Sequence, residues 1–138
     1  MRVREFNRSD LKAVLEINKA CHSKPQPDAQ LMEIIDKGDT WVAEVDGKIV
    51  GMLIAIYRDG PYVFNTAVLP EYRNQGVASA LFKQFETYFK PDGFYYLYVD
   101  SNNPAQKLYF DLGYRVINIK KDFYGKGENA LIMVKYVG

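Results

Sequence analysis

At 138 residues, 48% of them hydrophobic, the chain falls in the range of a single domain that can bury a core without disulfides or a structural metal. Eighteen Lys and Arg against 17 Asp and Glu leave a formal charge of +1, so overall charge points to neither a nucleic-acid nor a membrane partner, and no apolar run approaches the roughly 18 residues of a membrane span. The single cysteine, Cys21, cannot close an intramolecular bridge, and the N-terminus lacks the basic, apolar and small-residue order of a secretion signal, so a reduced, cytoplasmic protein is expected.

In chain order, Arg2-Val3-Arg4-Glu5-Phe6 alternates like an opening strand, and Asn7 with Asp10 three residues on has the spacing of a helix N-cap. Leu11, Val14 and Leu15 supply an apolar helical face, Pro25 and Pro27 interrupt the chain, and Leu31, Ile34 and Ile35 form a second stripe that Gly38 terminates. Residues 40–45 and 48–57 read as strands that meet at Asp46-Gly47, a dipeptide suited to the positive φ angles of a tight hairpin. Asp59-Gly60-Pro61 is a further turn, followed by a third strand over residues 62–69. After Pro70 the period changes to about 3.6, with Ala78, Leu81, Phe82, Phe85 and Phe89 on one helix face and Pro91-Asp92-Gly93 as its stop. Residues 94–99 form a compact aromatic and aliphatic strand. Asn103-Pro104 caps a helix that turns Ala105, Leu108, Tyr109 and Leu112 inward and closes at Gly113. Residues 114–120 and 130–137 are the last strands, around a Tyr124-Gly125-Lys126-Gly127 turn. The order is β-αα-βββ-α-β-α-ββ, and no repeat, linker or low-complexity stretch divides it, so one domain over residues 1–138 is expected. Aromatics reach 14%, with 11 tyrosines, many of them in the second half; this excess calls for a packing or a functional account.

The stretch Thr66-Ala67-Val68-Leu69-Pro70-Glu71-Tyr72-Arg73-Asn74-Gln75-Gly76-Val77-Ala78-Ser79 sits at a strand-to-helix junction. Unpaired amides and the positive end of the helix dipole converge there, an arrangement suited to a pyrophosphate. Gly76 and Ala78 leave room for phosphates to approach the main chain, and Arg73 can add charge-assisted hydrogen bonds. By spacing alone, an ordinary loop with a solvated arginine is an equal reading.

The stretch resembles the signature R-x-x-G-x-G/A of GNAT acetyltransferases, carried by Arg73, Gly76 and Ala78, and Ala67-Val68-Leu69-Pro70-Glu71-Tyr72 matches the family's usual lead-in. A second family signature, asparagine followed by alanine at +3 and Leu-Tyr at +6 and +7, is matched by Asn102, Ala105, Leu108 and Tyr109. The element order is also that of the GNAT fold, so the resemblance covers essentially residues 1–138. It implies an α/β GNAT fold: a mixed, mostly antiparallel central sheet, splayed at the cofactor site and flanked by helices. It further implies acetyl-CoA as co-substrate, its pantetheine arm paired with the main chain of Thr66, Ala67 and Val68. Arg73 and the amides of Asn74, Gln75, Gly76, Val77, Ala78 and Ser79 would hold the pyrophosphate. Asn102 would bond the pantetheine and Tyr109 lie near the thioester sulfur. Read without the motif, Tyr109 is a buried tyrosine on an inward helix face; the motif favours a catalytic role.

In this family a neutral amine attacks the acetyl carbonyl directly. The oxyanion needs a donor, such as a backbone N–H around Val68, and the departing thiolate benefits from a general acid, the phenol of Tyr109. An α-amine with a pKa of about 7.7–8 is partly neutral near neutrality, whereas a lysine near 10.4 is neutral at only about one part in a thousand. Tyr98 occupies the strand position that often bears Glu or His in N-terminal acetyltransferases, and Tyr62 lies across the expected splay, where a tyrosine recurs in some relatives. Two phenols could relay a proton through water, but neither is a good base at neutral pH. Asp100 and His22 are ionisable reserves, His22 being read as a solvated residue at the end of the first helix. The run Asp122-Phe123-Tyr124-Gly125-Lys126-Gly127-Glu128-Asn129-Ala130-Leu131-Ile132-Met133 resembles the last hairpin of RimI-type protein N-terminal acetyltransferases. Tyr124 either packs over that hairpin or lines the acceptor groove. The segment 21–27 departs from the subfamily, lacking its Phe-Pro and Pro-Trp pattern. A RimI-like enzyme acting on peptide N-termini is the leading expectation, as a monomer or homodimer without a metal. A small-amine or polyamine GNAT transferase comes second. A non-catalytic acyl-CoA-binding module comes last, since both Asn102 and Tyr109 are retained.

Overall fold

The computed structural model describes residues 1–90 and 93–137. Strands β1 (Arg2–Glu5), β2 (Asp39–Val45), β3 (Lys48–Tyr57), β4 (Pro61–Val68), β5 (Phe94–Asp100), β6 (Arg115–Gly125) and β7 (Glu128–Tyr136) form one mixed sheet in the order β1-β2-β3-β4-β5-β7-β6. Helices α1 (Leu11–Cys21), α2 (Asp28–Lys37), α3 (Val77–Phe89) and α4 (Gln106–Asp111) complete the element order expected from the sequence. The chain forms two compact units, Met1–Ile56 with Phe64–Lys90 and Tyr57–Val63 with Pro91–Gly138. No helix among the described residues is long and apolar enough to cross a membrane.

In the first unit, the Asn7–Asp10 spacing forms a reciprocal cap. Asn7 Oδ1 accepts from the Ser9 N–H at 3.1 Å, and the Asp10 carboxylate accepts from the Asn7 N–H at 2.9 Å. Arg4 donates to both oxygens of the buried Asp10 at 2.8 and 2.9 Å and to Glu44 at 3.3 Å, tying β1 to the start of α1. Val14 and Ile17 of α1 and Leu31, Ile34 and Ile35 of α2 are buried with Val42, Met52 and Ile54. Burial of each such side chain is worth about 1.5–3 kcal/mol. Leu11 and Leu15 turn only partly inward, and Ile17 takes the core position instead. The turn between β2 and β3 is the expected tight hairpin, with φ of 50° at Asp46 and 79° at Gly47.

Gly38 does end α2, but not by adopting a left-handed conformation, since its φ is −111°. A Cβ there would stand 2.0 Å from the Ala55 carbonyl oxygen, so glycine is required by close approach of α2's end to β3. On α3 the buried positions are Val77, Leu81, Phe82 and Phe85, with Ala78 and Phe89 half-buried. The helix packs on Trp41, whose ring meets Phe85 and Phe89 edge-on at 6.5 and 6.4 Å. Of the stop expected at Pro91-Asp92-Gly93, Pro91 and Asp92 lie outside the described residues.

In the second unit, β5 alternates: Tyr95, Leu97 and Val99 are buried, while Tyr96, Tyr98 and Asp100 are half-buried on the other face. It pairs antiparallel with β7, and parallel with β4 at Tyr62↔Tyr96 and Val63↔Leu97. Regular α4 begins only at Gln106. Before it, Asn103 Oδ1 accepts from the Ala105 N–H at 2.9 Å, and the carbonyls of Asn103 and Pro104 accept from Gln106 and Lys107. The expected cap therefore opens a tight turn rather than the α-helix itself. Tyr109 is the buried residue of α4, with Ala105, Leu108 and Leu112 half-buried. Gly113 closes the element at φ 101°. The last hairpin is longer than expected: β6 runs to Gly125 and β7 starts at Glu128, with a register shift between Lys120 and Gly125 that places Asp122 at φ 55°.

Candidate active site

The junction between β4 and α3 has the features of an anion cradle. After the short 3-10 turn Pro70–Tyr72, Arg73 is extended, Asn74 and Gly76 are left-handed at φ 60° and 81°, and α3 begins at Val77. The first helical bond runs from the Ala80 N–H to the Gly76 carbonyl at 3.1 Å, so the amides of Val77, Ala78 and Ser79 precede the ladder, and no side chain caps them. A Cβ on Gly76 would meet nothing within 4 Å, so the approach to these amides is open on that side. Unladdered amides, an open approach and a neighbouring arginine suit the pyrophosphate of a coenzyme A ester. Arg73 is exposed and commits its Nε to the Val68 carbonyl at 2.9 Å, which joins the cradle to the end of β4. Gln75 turns its amide to the Glu71 carbonyl at 3.0 Å, and Thr66 donates its hydroxyl to the Met52 carbonyl at 2.9 Å.

Two contributors here escape a reading of the sequence. Gly51 on β3 faces Val77, Ala67 and Val68, where a Cβ would stand 3.1 Å from Val77 Cγ1 and 3.3 Å from Ala67 O and Val68 Cγ2. Its missing side chain lets the first turn of α3 settle against β3 and β4. Asn65 on β4 is buried and accepts or donates in three bonds: Oδ1 to His22 Nε2 at 2.9 Å, and Nδ2 to Asn18 Oδ1 at 3.0 Å and Gln26 Oε1 at 2.7 Å. The expectation that His22 is a solvated residue at the end of α1 is thereby corrected. Its ring is half-buried and held by Asn65, and burial, partly opposed by that bond and reinforced by the charge of Arg73, pushes its pKa below the usual imidazole value. A lone polar residue in an apolar strand and a histidine 43 positions away share no sequence pattern.

The second unit gathers the tyrosines. Tyr62 stacks on Tyr96 at 4.8 Å and meets Tyr98 edge-on at 5.7 Å, and Tyr98 in turn meets Phe123 at 5.5 Å. Phe123 packs on Tyr124 at 5.0 Å. Cations lie over these rings, Arg58 over Tyr62 at 5.5 Å and Lys120 over Tyr98 at 5.1 Å. Burial pushes the Tyr62 phenol well above its ordinary pKa, and Tyr124 up to about 12, with Asp100 and Tyr98 adding to the latter. Tyr109 is likewise raised to about 12 by burial and then by Tyr124. These three phenols keep their protons at neutral pH, so they can act as proton donors but not as phenolate bases. Asn102 is exposed, its amide 3.4 Å from the Gly127 carbonyl and its N–H bonded to Asp100 Oδ1 at 2.9 Å. Asp100 is thus engaged in a turn, and Asn102 reaches toward the β6–β7 hairpin.

Residues 11–114 match the model of the acetyltransferase (GNAT) family. An uncharacterized N-acetyltransferase of Methanocaldococcus jannaschii is 31% identical over 98% of this chain and 91% of that protein. The ribosomal protein bS18-alanine N-acetyltransferase of Haemophilus ducreyi is 30% identical over 93% of this chain and 94% of its own length. Among solved structures, Arabidopsis thaliana NAA60 in complex with acetyl-CoA superposes with a TM-score of 0.84 at 21% identity, covering 99% of this chain and 98% of that one. The chain belongs to the GNAT acetyltransferases, as an N-acetyltransferase that takes its acyl group from acetyl-CoA.

Proposed function

We propose that the enzyme acetylates the α-amine of a protein or peptide N-terminus. The observation that carries this reading is the phenol-lined face of the second unit. Tyr62 is half-buried and Tyr124 lies exposed beside it on the last hairpin; both are aromatic and protonated at neutral pH, and they adjoin Tyr98, the strand residue expected to take part in proton relay. Such a face suits an acceptor whose amine is already partly neutral, as an α-amine with a pKa of about 8 is and a lysine is not. The relative in Haemophilus ducreyi, named for alanine on a ribosomal protein, supports the same acceptor class.

On this reading Arg73 and the amides of Asn74, Gln75, Gly76, Val77, Ala78 and Ser79 bind the pyrophosphate. The main chain of Thr66, Ala67 and Val68, with Asn102, aligns the pantetheine arm, and the Val68 N–H faces the acyl oxygen. Acetyl-CoA supplies the activated acyl carbon. Tyr109, which holds its proton up to about pH 12, gives it to the departing sulfur. Tyr62, Tyr98 and Tyr124 line the acceptor. Residues 1–138 act as one domain, β4 contributing chain to both compact units. A cytoplasmic location accompanies this substrate class. Mass spectrometry of alanine-initiated peptides incubated with enzyme and acetyl-CoA tests the reading. Acetylation of the free α-amine is expected, and none of peptides blocked at the N-terminus that carry lysine. Efficient modification of the blocked peptides, or activity confined to small amines and polyamines, refutes it.

A further inference from the structure

The carboxamide network around His22 has an orientation that can be worked out from one unambiguous atom. The Gln26 backbone carbonyl can only accept, so Asn18 must present Nδ2 to it, at 2.9 Å. Asn18 Oδ1 therefore faces Asn65, and Asn65 must answer with Nδ2, which it also gives to Gln26 Oε1. This leaves Asn65 Oδ1 for His22 Nε2, and an oxygen there requires the neutral ring to carry its proton on Nε2. Nδ1 is then the nitrogen with the lone pair.

The ring also lies beside the segment to which the proposed function assigns the acyl donor. Asn65 immediately precedes Thr66, Ala67 and Val68, and Cys21, next to His22, has its Sγ 3.6 Å from the Val68 carbonyl that Arg73 also binds. Asn65 of β4 holds the ring, Asn18 of α1 and Gln26 of the following loop hold Asn65 in turn, and the segment before α3 contributes the charge of Arg73. We propose that His22 is the proton acceptor of the reaction, taking a proton from the acceptor's ammonium group on Nδ1. One proton passes from the ammonium to Nδ1, and the freed nitrogen lone pair forms the C–N bond to the acetyl carbon. The C–S bond breaks with its electron pair on sulfur, which takes the Tyr109 proton; the second proton lost by the amine nitrogen as the amide forms restores the Tyr109 phenol through water, and the imidazolium returns its proton to water. The lowered pKa keeps the ring neutral and ready at pH 7, and its weak basicity matches an α-ammonium better than a lysine. This inference rests on the acetyl-transfer reading above.

The chain has a single histidine, so in ¹⁵N-labelled protein one pair of imidazole resonances reports on it without assignment. A protonated Nε2 and an unprotonated Nδ1 at pH 7 are expected; the opposite tautomer, or an imidazolium, overturns the proposal. The kinetic test compares kcat in the wild type and His22→Gln, from pH 7 to 9, with an alanine-initiated peptide and with glycinamide. An amine with a pKa of about 8 is neutral at roughly one part in ten at pH 7 and almost fully at pH 9. The variant's kcat should therefore rise about tenfold across this interval and converge on a flat wild-type profile, and imidazole should restore the rate of His22→Gly at pH 7. An unchanged melting shift with acetyl-CoA shows that the variants are folded. Parallel pH profiles, or a loss as large at pH 9 as at pH 7, make His22 structural and sink the inference. Turnover of glycinamide but not of the peptide would instead refute the N-terminal assignment while leaving the histidine test intact.

Discussion

Gly76→Glu separates ligand binding from folding, because the fold tolerates the substitution better than the ligand does. At φ 81° a side chain costs about 1–2 kcal/mol of left-handed strain, but a Cβ meets no atom within 4 Å, so no steric term is added. A carboxylate at the first turn of α3 returns about 0.3–1 kcal/mol through the helix dipole. The net loss is about 1 kcal/mol. With an unfolding entropy of about 2.1 cal/mol/K per residue, 138 residues give roughly 3 °C in melting temperature per kcal/mol. Acetyl-CoA at about 100 times its Kd adds about 2.7 kcal/mol, or about 9 °C, to the wild type. In Gly76→Glu the carboxylate occupies the approach to the amides of Val77, Ala78 and Ser79 and repels the pyrophosphate, so this 9 °C shift should vanish. Gly76→Ala carries the strain without the charge and serves as the control for the unliganded protein. Differential scanning fluorimetry with and without acetyl-CoA reads all three proteins. A folded Gly76→Glu protein that keeps the full shift removes the cradle from the binding site.

Tyr109→Phe keeps the buried ring and deletes the proton, so kcat should fall by about 10²-fold with the acetyl-CoA melting shift unchanged, and near-normal turnover with chemistry rate-limiting would make this tyrosine a packing residue. Asp10→Asn breaks the pair with Arg4 and the reciprocal cap, at a cost of about 2–3 kcal/mol at pH 7 read by urea unfolding. The hydrogen bond from Arg4 holds the Asp10 pKa below the usual carboxylate range despite burial. A lowered folded-state pKa means that this stabilisation is present above the unfolded value of about 3.9 and is lost as pH falls through the folded one, so wild type and Asp10→Asn should converge in acid; a constant gap would contradict the assignment.

What was legible in the sequence divides by the range of the interaction responsible. Asn7 with Asp10, Asp46-Gly47 and the Arg73–Ser79 loop are each specified by neighbours within a few residues, and each has the local conformation its residue types dictate. The helix stripes at Leu31, Ile34 and Ile35 or at Leu81, Phe82 and Phe85 were legible for the same reason. Boundaries were less so: the Asn103-Pro104 cap spends its bonds on a tight turn, and α4 starts only at Gln106. Gly38 shows how a correct position can rest on the wrong cause, because the Ala55 carbonyl that forbids a side chain there comes from a distant strand.

The same distinction bears on where the chemistry resides. A cradle made of backbone amides needs a glycine and a helix start, both local, and a short pattern can announce it. A base made by orienting a neutral histidine needs acceptors and donors from three places in the chain: Asn18 on α1, Gln26 in the following loop and Asn65 on β4. Each of those residues alone has an ordinary alternative, since Asn and Gln occur on helix surfaces and in loops without consequence. Their meaning comes from the order of donors and acceptors, anchored at the Gln26 backbone carbonyl, and that order exists only once residues 47 positions apart are in contact. A carboxylate base would have left a mark in the sequence at the position of Tyr98. With tyrosine there, the proton acceptor has to be sought where burial and hydrogen bonding tune a weaker base, and in the described residues His22 meets both conditions.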